Sequence, residues 1–323
     1  MSIIFVGTPP FAVPSLRRLA SAGHAISTVV TQPDRAAGRH RTPLPPPVKL
    51  AAEELGLRVL QPENLRDPAA VAELRALAPE AIVVVAYGQI LRPDVLAIPD
   101  RGVLNVHPSL LPRWRGASPI PAGILEGDEQ TGVTIMLMDA GMDSGPILSQ
   151  EAFAIDVNDT AASLSERLSA AGAELLADTL PRWLSREIEP APQNNSQATT
   201  CPLLRKEDGA IDWRLPATDI WRRVRAYNPW PGAYTSLGGE LLHIWRAWPL
   251  DVDPRAEAGT VVDIDEALKA ALPDDEAAAF AVQTGSGILV PLEVQRAGRR
   301  VLSADEFRRG VPGLIGSRLG GAE

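Results

Sequence analysis

Through about residue 150 this chain alternates short β-branched runs, at 3–6, 26–31, 59–60, 82–86, 103–106 and 133–138, with alanine- and leucine-rich stretches. This alternation constrains the fold more than any other feature, because neighbouring parallel strands need a crossover segment, usually a helix, between them. It predicts an α/β domain with a doubly wound, mostly parallel sheet and helices on both faces. Several runs are apolar at consecutive positions, as strands covered on both sides should be. Asp159 followed by 161–177 predicts a longer helix with an acidic N-cap region, and 181–188 a second one.

The texture changes at Glu189-Pro190-Ala191-Pro192-Gln193-Asn194-Asn195-Ser196-Gln197, which has no apolar periodicity and contains two prolines, the composition of a linker. At 323 residues the chain exceeds the size at which one core usually stops growing, so two domains are expected. The reading is a catalytic domain over 1–189, a linker over 190–205 and a second domain over 206–323. In the last of these, strand-like runs at 234–237, 241–245, 259–264, 279–283 and 288–294 are broken by glycine turns. They predict a small five-stranded OB-like β-barrel with a helix at 218–227.

Other features exclude whole classes. The start, Met1-Ser2-Ile3-Ile4-Phe5-Val6-Gly7, reads as a strand and not as a signal peptide, and no apolar run approaches the roughly 20 residues of a membrane span. The single cysteine, Cys201, forms no internal disulfide and offers no metal spacing, so a cytoplasmic protein without a metal is expected. A formal net charge of −9 argues against nucleic-acid binding through bulk charge, so any RNA contact must be local. The first strand ends in Gly7-Thr8-Pro9-Pro10 and lacks Gly-x-Gly-x-x-Gly, which disfavours a nicotinamide oxidoreductase.

At the end of the run at 103–104 the chain reads Asn105-Val106-His107-Pro108-Ser109-Leu110-Leu111-Pro112. Ligands sit at the carboxyl ends of strands in open parallel sheets, and residues two apart on a strand share a face, so Asn105 and His107 can address one ligand atom. After the next run, Asp139-Ala140-Gly141-Met142-Asp143-Ser144-Gly145 is a loop able to bring Asp143 toward the imidazole. An amide donor, a titratable imidazole and an orienting carboxylate together suit acyl transfer without a covalent nucleophile, the incoming amine being the nucleophile itself. Each residue alone also has a structural reading: a hydrogen-bonded strand-end histidine, a turn cap for Asn105, an Asx turn for Asp143.

Asn105-Val106-His107-x-Ser109-Leu110-Leu111-Pro112 and Gly141-x-Asp143-x-Gly145, in this order and at this separation, resemble the signatures of the folate-dependent formyltransferases. The resemblance implies that Asn105, His107 and Asp143 are the catalytic set and that Ser109, Leu110, Leu111 and Pro112 form the folate-binding loop. It also implies a Rossmann-like formyltransferase domain and 10-formyltetrahydrofolate as co-substrate. From the charges that the transition state develops, Asn105 is expected to donate to the formyl oxygen, and a protonated His107, stabilised by Asp143, to donate to the same oxygen or to the departing folate nitrogen. Two places depart from the family pattern: Pro108, where glycine or alanine is more usual, and Cys201-Pro202-Leu203-Leu204 before Lys206.

Further matches are narrower, to the branch acting on methionyl initiator tRNA: Phe5-Val6-Gly7-Thr8-Pro9, Gln32-Pro33-Asp34-Arg35, Pro112-Arg113-Trp114-Arg115-Gly116-Ala117, Ile211-Asp212-Trp213 and Arg225-Ala226-Tyr227-Asn228-Pro229-Trp230-Pro231-Gly232. They span nearly the whole chain and imply a monomeric enzyme of translation initiation. The segment 33–47 lacks core periodicity and reads as a mobile basic loop carrying Arg35, Arg39 and Arg41, with Lys49 close by. The resemblance implies that it meets the acceptor end of the tRNA; a solvated surface loop is the plain alternative. Lys206, Arg222, Arg299 and Arg300 are the further expected tRNA contacts in the second domain. An enzyme formylating an amino-sugar nucleotide would keep the same three central residues, and a non-catalytic tRNA-binding protein would not need them together.

Overall fold

The computed structural model describes residues 2–37, 42–273 and 278–320. The chain forms two compact units, one of residues up to 119 with 130–154 and 163–202, the other of 120–129, 155–162 and 203 onward.

The first unit is built on a seven-stranded sheet in the order Ile147–Ala154, Gln130–Leu137, Val103–His107, Ala81–Val85, Ser2–Gly7, Ala25–Val30, Val59–Leu60. The five strands from Val103–His107 to Val59–Leu60 run parallel, and the other two add an antiparallel edge. From the central strand Ser2–Gly7 the chain first builds outward on one side and then crosses to Ala81–Val85 on the other. The strand order therefore reverses between these two, where α/β sheets open a crevice at their carboxyl ends. Ile4, Val6, Ile82 and Val84 pack there against Leu74 and Tyr87 in one core cluster. These strands are apolar throughout because both faces are covered.

Three segments differ from the sequence reading. One helix, Ala161–Leu184, runs straight through Pro181, where a second helix was expected. Proline fits helical φ; it removes one bond of the ladder, the one its N–H would make to the Ala177 carbonyl, and only three helical residues follow it. The basic segment, read as a mobile loop, has paired stems: Arg35–Ala37 and Thr42–Leu44 form an antiparallel pair with Pro43 opposite Ala36. Three-residue strands with a proline give too little pattern to read, and proline is tolerated at such an edge. Arg39 and Arg41 lie outside the described residues. Finally, the stretch read as a linker is bonded along its length: Ala191 exchanges two backbone hydrogen bonds with Ile147, at 2.8 and 2.9 Å, and Thr200–Cys201 pairs with Arg115–Gly116. Backbone pairing of this kind leaves no side-chain periodicity to detect.

In the second unit the strands Ala233–Leu237, Glu240–Leu250, Ile288–Arg296, Ala281–Gln283 and Val261–Val262 follow one another across an antiparallel sheet, with Leu302–Ser303 paired onto Ile288–Arg296. All five expected strands are present, and the sheet curls into the half-barrel of an OB-like domain. Helix Ala217–Ala226 inserts Ile220 and Val224 among Trp213, Ile244, Phe280 and Phe307. Among the described residues no helix is long and apolar enough to cross a membrane.

Gly172, buried in the middle of the long helix, seats that helix on the strands that carry the site. A Cβ there would stand 3.0 Å from Val106 Cγ1 and 3.3 Å from Val133 Cγ1. Gly172→Ala should change stability by less than about 1 kcal/mol, its gain in helix propensity offsetting mild crowding. Gly172→Leu should cost at least about 3 kcal/mol by overpacking. Urea melts of the two variants check this, and equal losses in both would contradict the close approach.

Candidate active site

Val103–His107 is buried at Val103, Leu104 and Val106, which anchors the strand and leaves Asn105 and His107 together on one face. Asn105 lies between Val84 and Met136 on the neighbouring strands, and His107 opposite Thr134. The Asn105 amide is half-buried, and no hydrogen bond holds it among the described residues.

After His107 the chain folds back at once, Ser109 N–H donating to the His107 carbonyl at 3.0 Å. Thr134, a polar residue in an apolar strand, fixes the next turn. Its hydroxyl donates to the Ser109 carbonyl at 2.6 Å and accepts from Leu111 N at 3.2 Å. Gln150 Nε2 donates to Thr134 Oγ1 at 2.8 Å and to the Leu111 carbonyl at 2.9 Å. The Ser109 hydroxyl is itself fully buried and donates to the Arg113 carbonyl at 2.6 Å. Ser109 and Leu111 thus shape the loop from inside, while Leu110 and Pro112 are partly exposed. Neither Thr134 nor Gln150 was expected at the site; the signal for Thr134 was a threonine inside the apolar run at 133–138.

The loop delivers Trp114, at φ 62°, so that its carbonyl meets His107 Nε2 at 2.9 Å. A carbonyl only accepts, so Nε2 carries the proton and, in the neutral ring, Nδ1 carries a lone pair. Nδ1 lies 3.7 Å from Asp143 Oδ2, beyond a direct hydrogen bond but close in charge. That oxygen accepts from Gly116 N–H at 2.9 Å. Asp143 sits at φ 49°, an uncommon backbone state for a residue other than glycine. Asp139 braces its loop by accepting from Gly141 N and the Ser144 hydroxyl, both at 2.9 Å. Gly145 is required next to it, because a Cβ there would stand 1.9 Å from the Leu137 carbonyl oxygen.

His107 is only 4% exposed, and burial holds its pKa below the ordinary 6.5, opposed by Asp143 and by the Trp114 carbonyl. The resting imidazole is therefore neutral at physiological pH, with one basic nitrogen facing a carboxylate ready to stabilise the added proton. Burial likewise pushes the Cys201 thiol up, with Asp143 adding to the effect, so this buried cysteine stays protonated beside the Trp114 and Arg115 carbonyls.

The basic residues read from the sequence are dispersed. Arg35 is exposed, whereas Lys49 Nζ holds both oxygens of Asp34 at 2.8 and 2.9 Å, with Gln61 on the same carboxylate. Lys206 and Arg299 are exposed, Arg300 pairs with Glu306 at 3.0 Å, and the Arg222 guanidinium fills the space beside Gly127. A cavity of about 410 Å³ lined by Glu63, Asn64, Arg66, Gly88, Gln89 and Ile90 opens beyond the strand Ala81–Val85, which pairs directly with the strand of Asn105.

Asp143→Asn removes the charge that favours the protonated ring. If neutral His107 is the working form, activity is lost as pH falls through its pKa, so the acid limb of kcat/KM should lie below pH 6.5. The variant should shift that limb to still lower pH and reduce the plateau by about a hundredfold. An acid limb moving upward in the variant would contradict this reading.

Comparison with known proteins agrees with this geometry. Residues 1–180 match the family model described as formyl transferase, and residues 203–312 match formyl transferase, C-terminal domain. A methionyl-tRNA formyltransferase from Chloroflexus aurantiacus is 50% identical over 96% of this chain and 97% of its own length. Among solved structures, an N-formyltransferase from Helicobacter canadensis, in complex with folinic acid and dTDP-3-aminofucose, superposes with a TM-score of 0.64 at 18% identity over 92% of this chain and 99% of that one. HypX from Aquifex aeolicus in complex with tetrahydrofolic acid gives a TM-score of 0.62 at 17% identity over 95% of this chain and 46% of that one. Shared sequence along the whole length, and not the fold alone, places the chain in the methionyl-tRNA formyltransferase family.

Proposed function

We propose that the protein transfers the formyl group of 10-formyltetrahydrofolate to the amino group of methionyl initiator tRNA, giving N-formylmethionyl-tRNA, and that it does so as a monomer in the cytoplasm. Full-length identity to a relative of that name supports the acceptor, and the family supports the donor. The observation that carries the chemistry is the buried, neutral His107, its Nε2–H committed to the Trp114 carbonyl and its Nδ1 turned toward Asp143.

When the amine nitrogen bonds to the formyl carbon, the formyl oxygen gains negative charge and the nitrogen positive charge. The Asn105 amide, with no hydrogen-bond partner among the described residues, donates to the oxygen. His107 Nδ1 takes the proton from the nitrogen, and Asp143 stabilises the imidazolium. As the bond from the formyl carbon to the folate nitrogen breaks, His107 returns that proton to the leaving nitrogen and is neutral again. This order differs from a histidine protonated at the outset, because burial leaves the resting ring uncharged. The cavity at Gly88–Ile90 offers room for part of the folate. Exposed Arg35, together with Arg39, Arg41, Lys206 and Arg299, supplies local positive charge for the tRNA on a chain of net charge −9.

Formyl transfer assayed in parallel on methionyl initiator tRNA and on an amino-sugar nucleotide tests the acceptor, with transfer to tRNA alone expected. Asn105→Ala should lower kcat by about two to three orders of magnitude, the loss of one oxyanion donor, with little change in folate affinity. Transfer to the sugar nucleotide alone, or near-normal turnover in folded Asn105→Ala, would overturn the proposal.

A further inference from the structure

The contact between His107 and Asp143 brings together two loops, 112–117 and 139–145, that are separated in sequence by a helix and a strand. The first holds the imidazole through the Trp114 carbonyl, and the second presents the carboxylate. One side chain from a third segment ties them together. Gln193 Nε2 donates to the Asp143 carbonyl at 2.8 Å and to the Gly145 carbonyl at 2.7 Å. Its Oε1 accepts from Arg115 Nε at 2.9 Å and from Arg115 Nη2 at 2.7 Å. The amide is itself clamped from behind, because Arg115 Nη2 also donates to Asn195 Oδ1 at 2.8 Å and Arg115 N–H to the Thr199 carbonyl at 2.9 Å. Thr199 Oγ1 accepts from Trp114 N–H at 2.9 Å, so the segment holding Gln193 also holds the residue that orients the histidine.

We infer that Gln193 is a positioning residue for formyl transfer: its carboxamide locks the Asp143 loop against Arg115 and so fixes the carboxylate opposite His107 Nδ1. The inference rests on the proposed function. The physical reason lies in the backbone of Asp143, whose φ of 49° is held only where its surroundings insist on it. Two hydrogen bonds to carbonyls on either side of Ser144 supply that constraint. Gly116 N–H completes it from the other loop. With the carboxamide gone, the Asp143 loop keeps its internal Asp139 brace and the Gly116 N–H bond to its carboxylate but loses the backbone tie that runs through Gln193 to Arg115.

Two variants separate this role from simple packing. Gln193→Glu keeps an acceptor for Arg115 but replaces both donated hydrogen bonds with a carboxylate facing two carbonyls. Gln193→Met keeps length and volume and loses every bond. Both should lower kcat by between about tenfold and a hundredfold, with KM for methionyl-tRNA changed less than about twofold. The titration midpoint of the His107 imidazole, followed by NMR in Gln193→Met, should fall. Asp143 is the charged group facing that ring, and the neutral Cys201 thiol lies behind the Trp114 carbonyl. Wild-type kcat in both variants would overturn the inference. So would wild-type kcat in Gln193→Glu alone, which would place the role in Arg115, or a lowered melting temperature with kcat and the imidazole midpoint unmoved. A wild-type protein that transfers no formyl group would sink the proposed function instead, while the imidazole midpoint would still decide whether Gln193 positions Asp143.

Discussion

A backbone carbonyl decides what the histidine can do. Because the Trp114 oxygen accepts a hydrogen bond from the N–H at His107 Nε2, the other nitrogen is the only basic position on the neutral ring, and it faces Asp143. Everything that sets the position of that carbonyl is therefore part of the site. The hydroxyl of Thr134 and the carboxamide of Gln150 nail down the turn before it, and Thr199 holds its own residue from outside. Burial supplies the remaining condition by favouring the neutral ring, the form that the proposed mechanism needs to take up a proton. A carboxylate 3.7 Å away then raises the stability of the charged form without binding the neutral one tightly.

The parallel sheet, its helices and the antiparallel second unit were legible because apolar runs of strand length leave a periodic record. Asn105 and His107 were legible as a pair because strand alternation puts them on one face. The supports of the site were harder to read. Gln193 sits in a stretch whose prolines and asparagines look like an untethered connection, yet its bonds run to backbone carbonyls that no side-chain pattern marks. The hairpin stems at 35–37 and 42–44 are too short for alternation to show, and Pro181 reads as a helix break although the helix runs through it and ends three residues later.

The basic residues divide in a similar way. Sequence marks them all as arginine or lysine, but the structure gives some of them other partners. Lys49 is held by Asp34, whose carboxyl is kept below the usual range by Gln61 and Lys49, and Arg300 is paired with Glu306. Exposed ion pairs of this kind are weak and screened, so a polyanion can displace them, but each exchange gives back part of its gain. Arg35, Lys206 and Arg299 are the exposed cations from which an approaching phosphate would take most.

The account stands on the state of one ring. With only four histidines in the chain, the nitrogen resonances of His107 can be assigned by single substitution and their shifts read at high pH. The neutral ring should carry its proton on Nε2, with Nδ1 showing the shift of a bare imine nitrogen, and the ring should titrate below 6.5. A neutral ring protonated on Nδ1, or one that is already charged at pH 7, would contradict the account.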